Sequence, residues 1–289
     1  MNILVTGSKG QLATCIKDIE TYSNDKNLHF IYKNSKELNI LDANTIETFF
    51  NNNDIDYCIN CAAYTAVDKA ESNTESAINI NEIGVKNLAK ACSEKQITLI
   101  HVSTDFVFDG SKSTPYTEED KTNPIGVYGS SKLKGEQQVM KQLSNYFIIR
   151  TSWLYSEHGN NFLKSMIKLS KEKNELRVVV DQVGTPTYAK DLAKTIIKII
   201  ENNNQDYGIY NYSNQGVASW YDFAKAIFEE NDTIIDLYPI KSEAYKTPAR
   251  RPHYSVLDKT KIERVLNIKI PYWRDSLKKA LINVNNKIN

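Results

Sequence analysis

The chain has 289 residues, of which 41% are hydrophobic and 25% are charged, and 36 Lys and Arg against 35 Asp and Glu give a net charge of +1. This length and composition are typical of a globular protein with one large α/β domain, or one domain and a smaller companion. The near-neutral balance argues against a nucleic-acid-binding protein, which usually carries a basic surplus on one face. No apolar stretch reaches the ~18 residues of a membrane span. We therefore predict a cytoplasmic protein with no membrane or nucleic-acid partner.

The four cysteines are too few for a disulfide framework in so long a chain. Cys58 and Cys61 have the spacing of a redox or metal motif, but they lie in an apolar run that predicts a buried strand. Strand alternation points residues three apart to opposite faces. We therefore predict free thiols packed as small hydrophobic side chains.

In chain order, the first predicted elements are an apolar strand over residues 2–6 and a helix over about 10–19, joined by a glycine turn. Gly7 and Gly10 in this turn, with Ala13 where a third glycine often occurs, would let the backbone approach a pyrophosphate at the helix N-terminus. The alternative is an ordinary strand-to-helix turn.

The second predicted strand, residues 29–32, ends without the carboxylate that often binds the ribose hydroxyls of NAD. Lys33 and Lys36 follow it instead. Two cations favour the 2′-phosphate of NADPH, although solvated loop lysines would give the same pattern.

A helix is predicted over 41–51, and the third strand then runs into Ala62 and Ala63. Small side chains at the carboxyl end of a parallel strand leave room for a ribose. A long helix is predicted over about 73–93. Asn81 lies among its apolar positions, either as a satisfied core amide or as a water-holding member of a proton relay.

The fourth predicted strand, residues 98–103, ends beside Thr104, and the helix after the next loop carries Tyr128 and Lys132. A Tyr and a Lys four residues apart lie one turn apart on one helical face. Free Tyr has a pKa of ~10, and we expect the Lys132 ammonium to lower it. With a Thr104 hydroxyl, such a group can donate to a carbonyl oxygen on which negative charge develops.

The fifth strand is predicted over 146–151, and alternating strands and helices imply parallel βαβ units with right-handed crossovers. We predict an α/β fold, a Rossmann-type doubly wound parallel sheet with a smaller C-terminal α/β substrate-binding region. The expected dinucleotide-binding domain is 1–152 with a returning segment at about 187–212. The expected substrate region is 153–186 and 213–289. Later helices are predicted near 160–171, 189–201, 219–230 and 273–284, and short strands over 177–180 and 208–212.

Several sequence blocks carry a family resemblance. They are Gly10-Gln11-Leu12, Ala62–Glu71, Ser103–Gly110, Tyr128-Gly129-x-x-Lys132-x-x-Gly135-Glu136, Arg150–Tyr155, Asp181–Thr187 and Arg250-Arg251-Pro252. Together they resemble the dTDP-4-dehydrorhamnose reductases, a family of extended short-chain dehydrogenases/reductases. The resemblance covers essentially the whole chain.

The resemblance implies that NADPH or NADH reduces the C4 ketone of dTDP-4-dehydro-β-L-rhamnose to dTDP-β-L-rhamnose, a precursor of cell-surface polysaccharide. The protein would bind a dTDP-sugar as a monomer or homodimer. Thr104, Tyr128 and Lys132 would form the catalytic group. The implied cofactor contacts, besides Tyr128 and Lys132, are Gly7, Gly10, Gln11, Leu12, Asn39, Ile40, Ala62, Ala63 and Thr65.

Thr104, Asp105 and Trp153 would hold the substrate, with the Trp153 indole against the deoxyhexose ring. The alternatives are a core aromatic for Trp153 and a loop or cap residue for Asp105. Arg250 and Arg251 are candidates for bidentate contacts with the diphosphate, or else a solvated basic pair.

Some members of the family are dimers bridged by a metal through acidic residues. Cys15 and Lys190 are poor ligands for a hard divalent cation, so we predict no metal site. Two other functions remain open: reduction of another nucleotide-linked 4-keto-6-deoxy sugar, and a non-catalytic, NADP-binding role like that of the regulatory β subunit of methionine adenosyltransferase.

Overall fold

The structure is a computed structural model that describes residues 1–22 and 27–288. Residues 23–26 and 289, which fall within the predicted ranges 1–152 and 213–289, lie outside the described residues. The strands are β1 (Asn2–Thr6), β2 (His29–Lys33), β3 (Tyr57–Asn60), β4 (Thr98–Thr104), β5 (Tyr146–Thr151), β6 (Leu154–Tyr155), β7 (Glu175–Val179), β8 (Val183–Gly184), β9 (Thr187–Tyr188), β10 (Gly208–Asn211), β11 (Ala218–Ser219) and β12 (Asp236–Ile240).

The α-helices alternate with these strands through the first half of the chain. They are α1 (Gln11–Tyr22), α2 (Ala43–Asn52), α3 (Val67–Ser72), α4 (Thr74–Ile78), α5 (Gly84–Glu94), α6 (Val127–Gln142), α7 (Phe162–Glu172), α8 (Ala189–Glu201), α9 (Trp220–Glu230), α10 (Thr260–Val265) and α11 (Trp273–Ile288). None of the helices in the described part of the chain is long and apolar enough to cross a membrane.

The main sheet has six parallel strands in the order β10-β5-β4-β3-β1-β2. The chain runs outward from β1 to β2 and then returns to β3 on the other side of β1. Ligands of open α/β sheets bind at the carboxyl ends of the strands where the order reverses. The crevice between β1 and β3 is therefore the expected ligand position. The predicted Rossmann-type α/β fold is confirmed.

Strand alternation divides the core into two layers, one on each face of this sheet. Ile3 and Val5 pack with apolar side chains of α1 and α8, whereas Leu4 packs with those of α2, α5 and α6. A third apolar cluster is built mainly from α7, β7, α9 and α11. The division into the two predicted regions stays a prediction.

The predicted elements match the structure except over residues 73–93. There the helix is broken into α4, a π-helical turn over Asn79–Ile83, and α5. A π turn has hydrogen bonds between residues five apart instead of four. A single such turn is too short for the spacing of hydrophobic residues to reveal it. The four cysteines are free, and the Cys58 thiol hydrogen-bonds that of Cys92, as expected for packed thiols.

Candidate active site

The glycine turn brings the N-terminus of α1 close to the segment that follows β3. Gly7 has a φ of +63°, and a Cβ on it would lie 2.7 Å from the main-chain nitrogen of Ala62. Only glycine meets both requirements without strain. The Gly10 N–H donates to the Gly7 carbonyl at 2.8 Å, and α1 begins at Gln11. The first amides of α1 therefore lie at the β1/β3 crevice, where such amides attract anions.

The other predicted cofactor residues surround this turn, but several side chains have structural contacts of their own. The Gln11 Oε1 accepts hydrogen bonds from Ser156 and Asn161, at 3.0 and 2.8 Å, in the loop before α7. Leu12 and Ile40 are buried in the core. Asn39, exposed after β2, accepts the Leu41 N–H at 3.1 Å; Ala62 and Ala63 are half-buried, and Thr65 is exposed.

Asn81 lies in the π turn and holds the segment after β3 against α6. Its amide oxygen accepts the Tyr64 N–H at 2.9 Å, and its amide nitrogen donates to the Tyr64 carbonyl at 3.1 Å and the Ser131 hydroxyl at 3.0 Å. All of these bonds are to protein groups. They favour the satisfied amide over the water-holding relay.

Two glycines determine how closely α6 approaches its neighbours. A Cβ on Gly129 would collide with the carbonyl oxygen of Phe106, and a Cβ on Gly135 with that of Asn81. The helix therefore packs against the turn after β4 and against the π turn at backbone distance. This close packing places the first turn of α6 beside the end of β4.

Thr104 and Tyr128 meet at this position. Thr104 ends β4 and is buried; its Oγ1 donates to the Asp105 Oδ1 at 3.0 Å and accepts the Phe106 N–H at 3.2 Å. The Thr104 hydroxyl also lies close enough to the Tyr128 hydroxyl to act on its pKa. The structure thus brings together two members of the predicted catalytic group.

The pKa of Tyr128 is raised to about 12, mainly by burial; the Thr104 hydroxyl acts in the opposite direction, and the charge of Asp105 adds to the increase. The expected lowering of this pKa by Lys132 is therefore wrong. The Lys132 ammonium is turned toward the sheet, where it donates to the Val102 carbonyl at 2.7 Å. Tyr128 stays protonated across the neutral range and is therefore a proton donor there.

Lys132 lies one turn beyond Tyr128 on α6 and is 2% exposed. Burial lowers its pKa to about 8, and Glu136 and Cys61 act in the opposite direction. An ammonium with a pKa of about 8 is still mostly charged at pH 7. It therefore supplies a positive charge between α6 and β4, on the residue one helical turn beyond Tyr128.

Asp105 is 2% exposed, its Oδ2 forms no well-aligned hydrogen bond within the described residues, and the Ser255 side chain interacts with the carboxylate. Burial raises the pKa of Asp105 to about 6. A buried carboxylate oxygen without a partner costs free energy. Asp105 is therefore not a solvated loop residue, and it offers an acceptor beside the Thr104 hydroxyl.

Trp153 follows β5 with a φ of +46° and stacks on Trp220, with ring centroids 3.6 Å apart and planes 6° apart. It is half-buried. Trp220 is one wall of a cavity of about 730 Å³, a size suited to a small ligand. The other lining residues are Asp68, Phe162, Met166, Leu169, Lys173, Glu175–Val179, Gln182, Ile240, Ala244, Tyr245, Thr247 and Arg251.

The two late arginines differ in position. Arg251 lines the cavity and pairs with Asp68, its Nη2 and Nη1 lying 2.7 and 3.0 Å from the two carboxylate oxygens. Its Nη1 also donates to the Thr247 hydroxyl and the Ala249 carbonyl. Arg251 therefore connects the segment 247–251 to Asp68 of α3. The Arg250 side chain, by contrast, is exposed.

One group of side chains beside α1 has the spacing of a metal site but does not fit a hard divalent cation. Ligand atoms of Cys15, Glu157 and His158 lie within 4.8 Å of one another. Burial raises the pKa of the Cys15 thiol to about 12, so it stays protonated. Glu157 accepts hydrogen bonds from the Tyr188 hydroxyl, at 3.0 and 3.2 Å to its two oxygens. We derive no step through a metal.

Comparison with known proteins agrees with this geometry. The family described as "RmlD substrate binding domain" matches residues 1–286. The dTDP-4-dehydrorhamnose reductase of Sinorhizobium fredii is 40% identical in an alignment that covers 97% of each chain. This chain belongs to the dTDP-4-dehydrorhamnose reductase family.

Two solved structures of the family have the same fold. The enzyme from Clostridium acetobutylicum is 41% identical with a TM-score of 0.94, over 99% of this chain and 100% of that one. The Bacillus anthracis enzyme, solved in complex with NADP, is 37% identical with a TM-score of 0.92, over 98% and 99%. The family resemblance inferred from the sequence blocks is confirmed.

Proposed function

We propose that the protein is an NADPH- or NADH-dependent oxidoreductase that reduces the C4 ketone of dTDP-4-dehydro-β-L-rhamnose to dTDP-β-L-rhamnose. The proposal depends on one observation in a member of this reductase family: Thr104 ends β4, and Tyr128 and Lys132 lie beside it on α6. The product would serve polysaccharide synthesis. A cytoplasmic location and a monomeric or homodimeric state stay predictions.

The β1/β3 crevice suits a dinucleotide. The turn at Gly7 and Gly10 leaves the α1 amides to hold the pyrophosphate, so Gln11 and Leu12 would contribute their main chains. Asn39 and Ile40 would lie beside the adenine, and Ala62, Ala63 and Thr65 along the remainder of the cofactor. The bound nicotinamide supplies the hydride to the ketone carbon.

The protein's own groups then stabilise and protonate the oxygen. Thr104 and Tyr128 would both donate to the C4 oxygen, which acquires negative charge as the carbon is reduced, so these hydrogen bonds strengthen in the transition state. Tyr128 transfers its proton to that oxygen. Lys132 would hold the cofactor ribose, which positions the nicotinamide for the transfer.

Substrate binding would extend from Asp105 to the large cavity. The Asp105 Oδ2, which forms no well-aligned hydrogen bond within the described residues, would accept one from a sugar hydroxyl, and Trp153 would lie against the sugar ring. The aromatic side chains of Trp220 and Tyr245 suit the nucleotide base. Arg250, which is exposed, remains the proposed diphosphate contact because Arg251 is already held by Asp68.

The direct test is turnover. Purified protein is mixed with dTDP-4-dehydro-β-L-rhamnose and NADPH, the loss of NADPH absorbance is followed, and the sugar nucleotide product is identified by NMR. A panel of other nucleotide-linked 4-keto-6-deoxy sugars decides the substrate. NADPH binding without consumption on any member of the panel would indicate the non-catalytic role instead.

The aromatic stack gives a second test. Replacing Trp153 by Ala is expected to raise KM for the sugar nucleotide by about 10-fold, and KM for NADPH much less, because the indole would contact the sugar. Alanine at this position has to adopt the same positive φ as Trp153, so the backbone strain is the same in both proteins and only the side chain differs. A lower melting temperature with unchanged KM would mean that Trp153 is a core aromatic.

A further inference from the structure

A buried ion pair lies directly behind the Tyr128–Lys132 face of α6. Glu136 is one turn beyond Lys132 and is fully buried. Arg150 of β5, 3% exposed, donates to both of its carboxylate oxygens: Nε to Oε1 at 3.0 Å and Nη2 to Oε2 at 2.8 Å. Buried charges of this kind are costly unless the geometry of the pair is good; the contact is bidentate, although the Arg150 Nη1 has no hydrogen-bond partner among the described residues.

The same carboxylate is connected to the end of β4. The Ser103 hydroxyl donates to the Glu136 Oε1 at 2.5 Å, and Ser103 is bonded directly to Thr104. The strand register places Ser103 opposite Arg150 and Thr104 opposite Thr151. Glu136 therefore joins three elements. They are α6, which carries Tyr128 and Lys132, the end of β4, which carries Thr104, and the neighbouring strand β5. Ser103 acts in this network, not on the carbonyl.

The charge of Glu136 also reaches Lys132. Burial disfavours the ammonium, and Glu136 opposes that effect. The other titratable groups that face Lys132 are Cys61, beyond β3, and His101 of β4. Burial raises the pKa of Cys61 to about 12 and lowers that of His101 well below its usual value, so both are neutral near pH 7. The carboxylate is thus the charged partner that supports the ammonium.

We propose that Glu136 is a positioning residue for the reduction: it holds Thr104 in register with Tyr128 through Ser103 and Arg150, and it keeps Lys132 in the ammonium form. The inference rests on the proposed function for turnover. NADPH binding, however, reports on the charge of Lys132 without any sugar substrate.

The test is the pH dependence of NADPH affinity and of kcat in the wild type and Glu136→Gln. A lysine with a lowered pKa loses its proton as the pH rises through that value, so wild-type affinity and kcat are expected to fall as the pH passes about 8. Glutamine keeps an acceptor for Ser103 but removes the charge. Both falls should then occur about one pH unit lower, because a nearby negative charge favours the ammonium.

Glu82→Gln is the matched control. It removes a half-buried carboxylate of the π turn that pairs with Lys134 of α6 at 3.7 Å and not with Lys132, so no shift is expected. Because Glu136→Gln leaves Arg150 buried without its counter-charge, E136Q/R150M is measured as well; a smaller downward shift is expected in it, because the positive charge of Arg150 is removed together with the carboxylate.

If NADPH affinity falls at the same pH in both Glu136 variants as in the wild type, the proposal is wrong. A purely structural role predicts this unchanged pH together with lower melting temperatures. A wild type that binds NADPH but reduces no keto-sugar would overturn the proposed function. It would leave the shift in NADPH affinity as an independent result.

Discussion

Tyr128→Phe is expected to lower kcat by about 10²–10⁴-fold, the usual contribution of a positioned general acid, while NADPH affinity changes by no more than a few-fold. The variant removes the hydroxyl that gives its proton to the C4 oxygen but keeps the ring, which packs edge-on against Phe106 with centroids 5.7 Å apart. Steady-state kinetics and fluorescence titration with NADPH measure the two quantities.

Tyr146→Phe is the matched control, since it removes a tyrosine hydroxyl at the opposite, amino-terminal end of β5. Its kcat should equal that of the wild type. Near-normal turnover in Tyr128→Phe would exclude Tyr128 as the proton donor. Because the pKa of Tyr128 is raised to about 12, its deprotonation does not contribute to a loss of activity between pH 7 and 10.

Lys132→Met should weaken both turnover and cofactor binding, since the ammonium would hold the ribose and so position the nicotinamide over the ketone carbon. We expect kcat to fall by about 10²-fold and NADPH affinity by about 10-fold, the loss of one charge-assisted hydrogen bond. Lys134→Met, an exposed lysine on the same helix, is the control. Unchanged NADPH affinity in Lys132→Met would rule out the ribose contact.

The same variant should not lose stability. The folded pKa of Lys132, about 8, lies below the usual ~10.4 of an unfolded chain, so the unfolded state binds more protons. The contribution of Lys132 to the free energy of unfolding is therefore unfavourable below pH 8 and disappears as the pH rises toward 10. Lys132→Met should unfold at an equal or higher temperature at pH 7, and a marked decrease would contradict a destabilising effect of the buried charge.

The sequence alone determined the parallel sheet, the glycine turn and the Tyr128–Lys132 face. Each depends on residues close together in the chain: apolar runs of strand length, two glycines after the first strand, and a helical spacing of four. Local spacing limits backbone conformation directly. The family blocks added the expected chemistry, and Thr104 was correctly placed beside Tyr128.

The tertiary structure decided what depends on residues far apart in the chain. The Asp68–Arg251 pair joins residues 183 positions apart, and the Glu136–Arg150–Ser103 network joins one helix to two strands. Neither has a local signal in the sequence. Burial determines the pKa of Tyr128, so helical spacing to Lys132 predicted the wrong direction. Charges and pKa values depend on the groups that folding brings together and the water it removes, which is why only the tertiary structure identified Glu136 as the group behind the catalytic face.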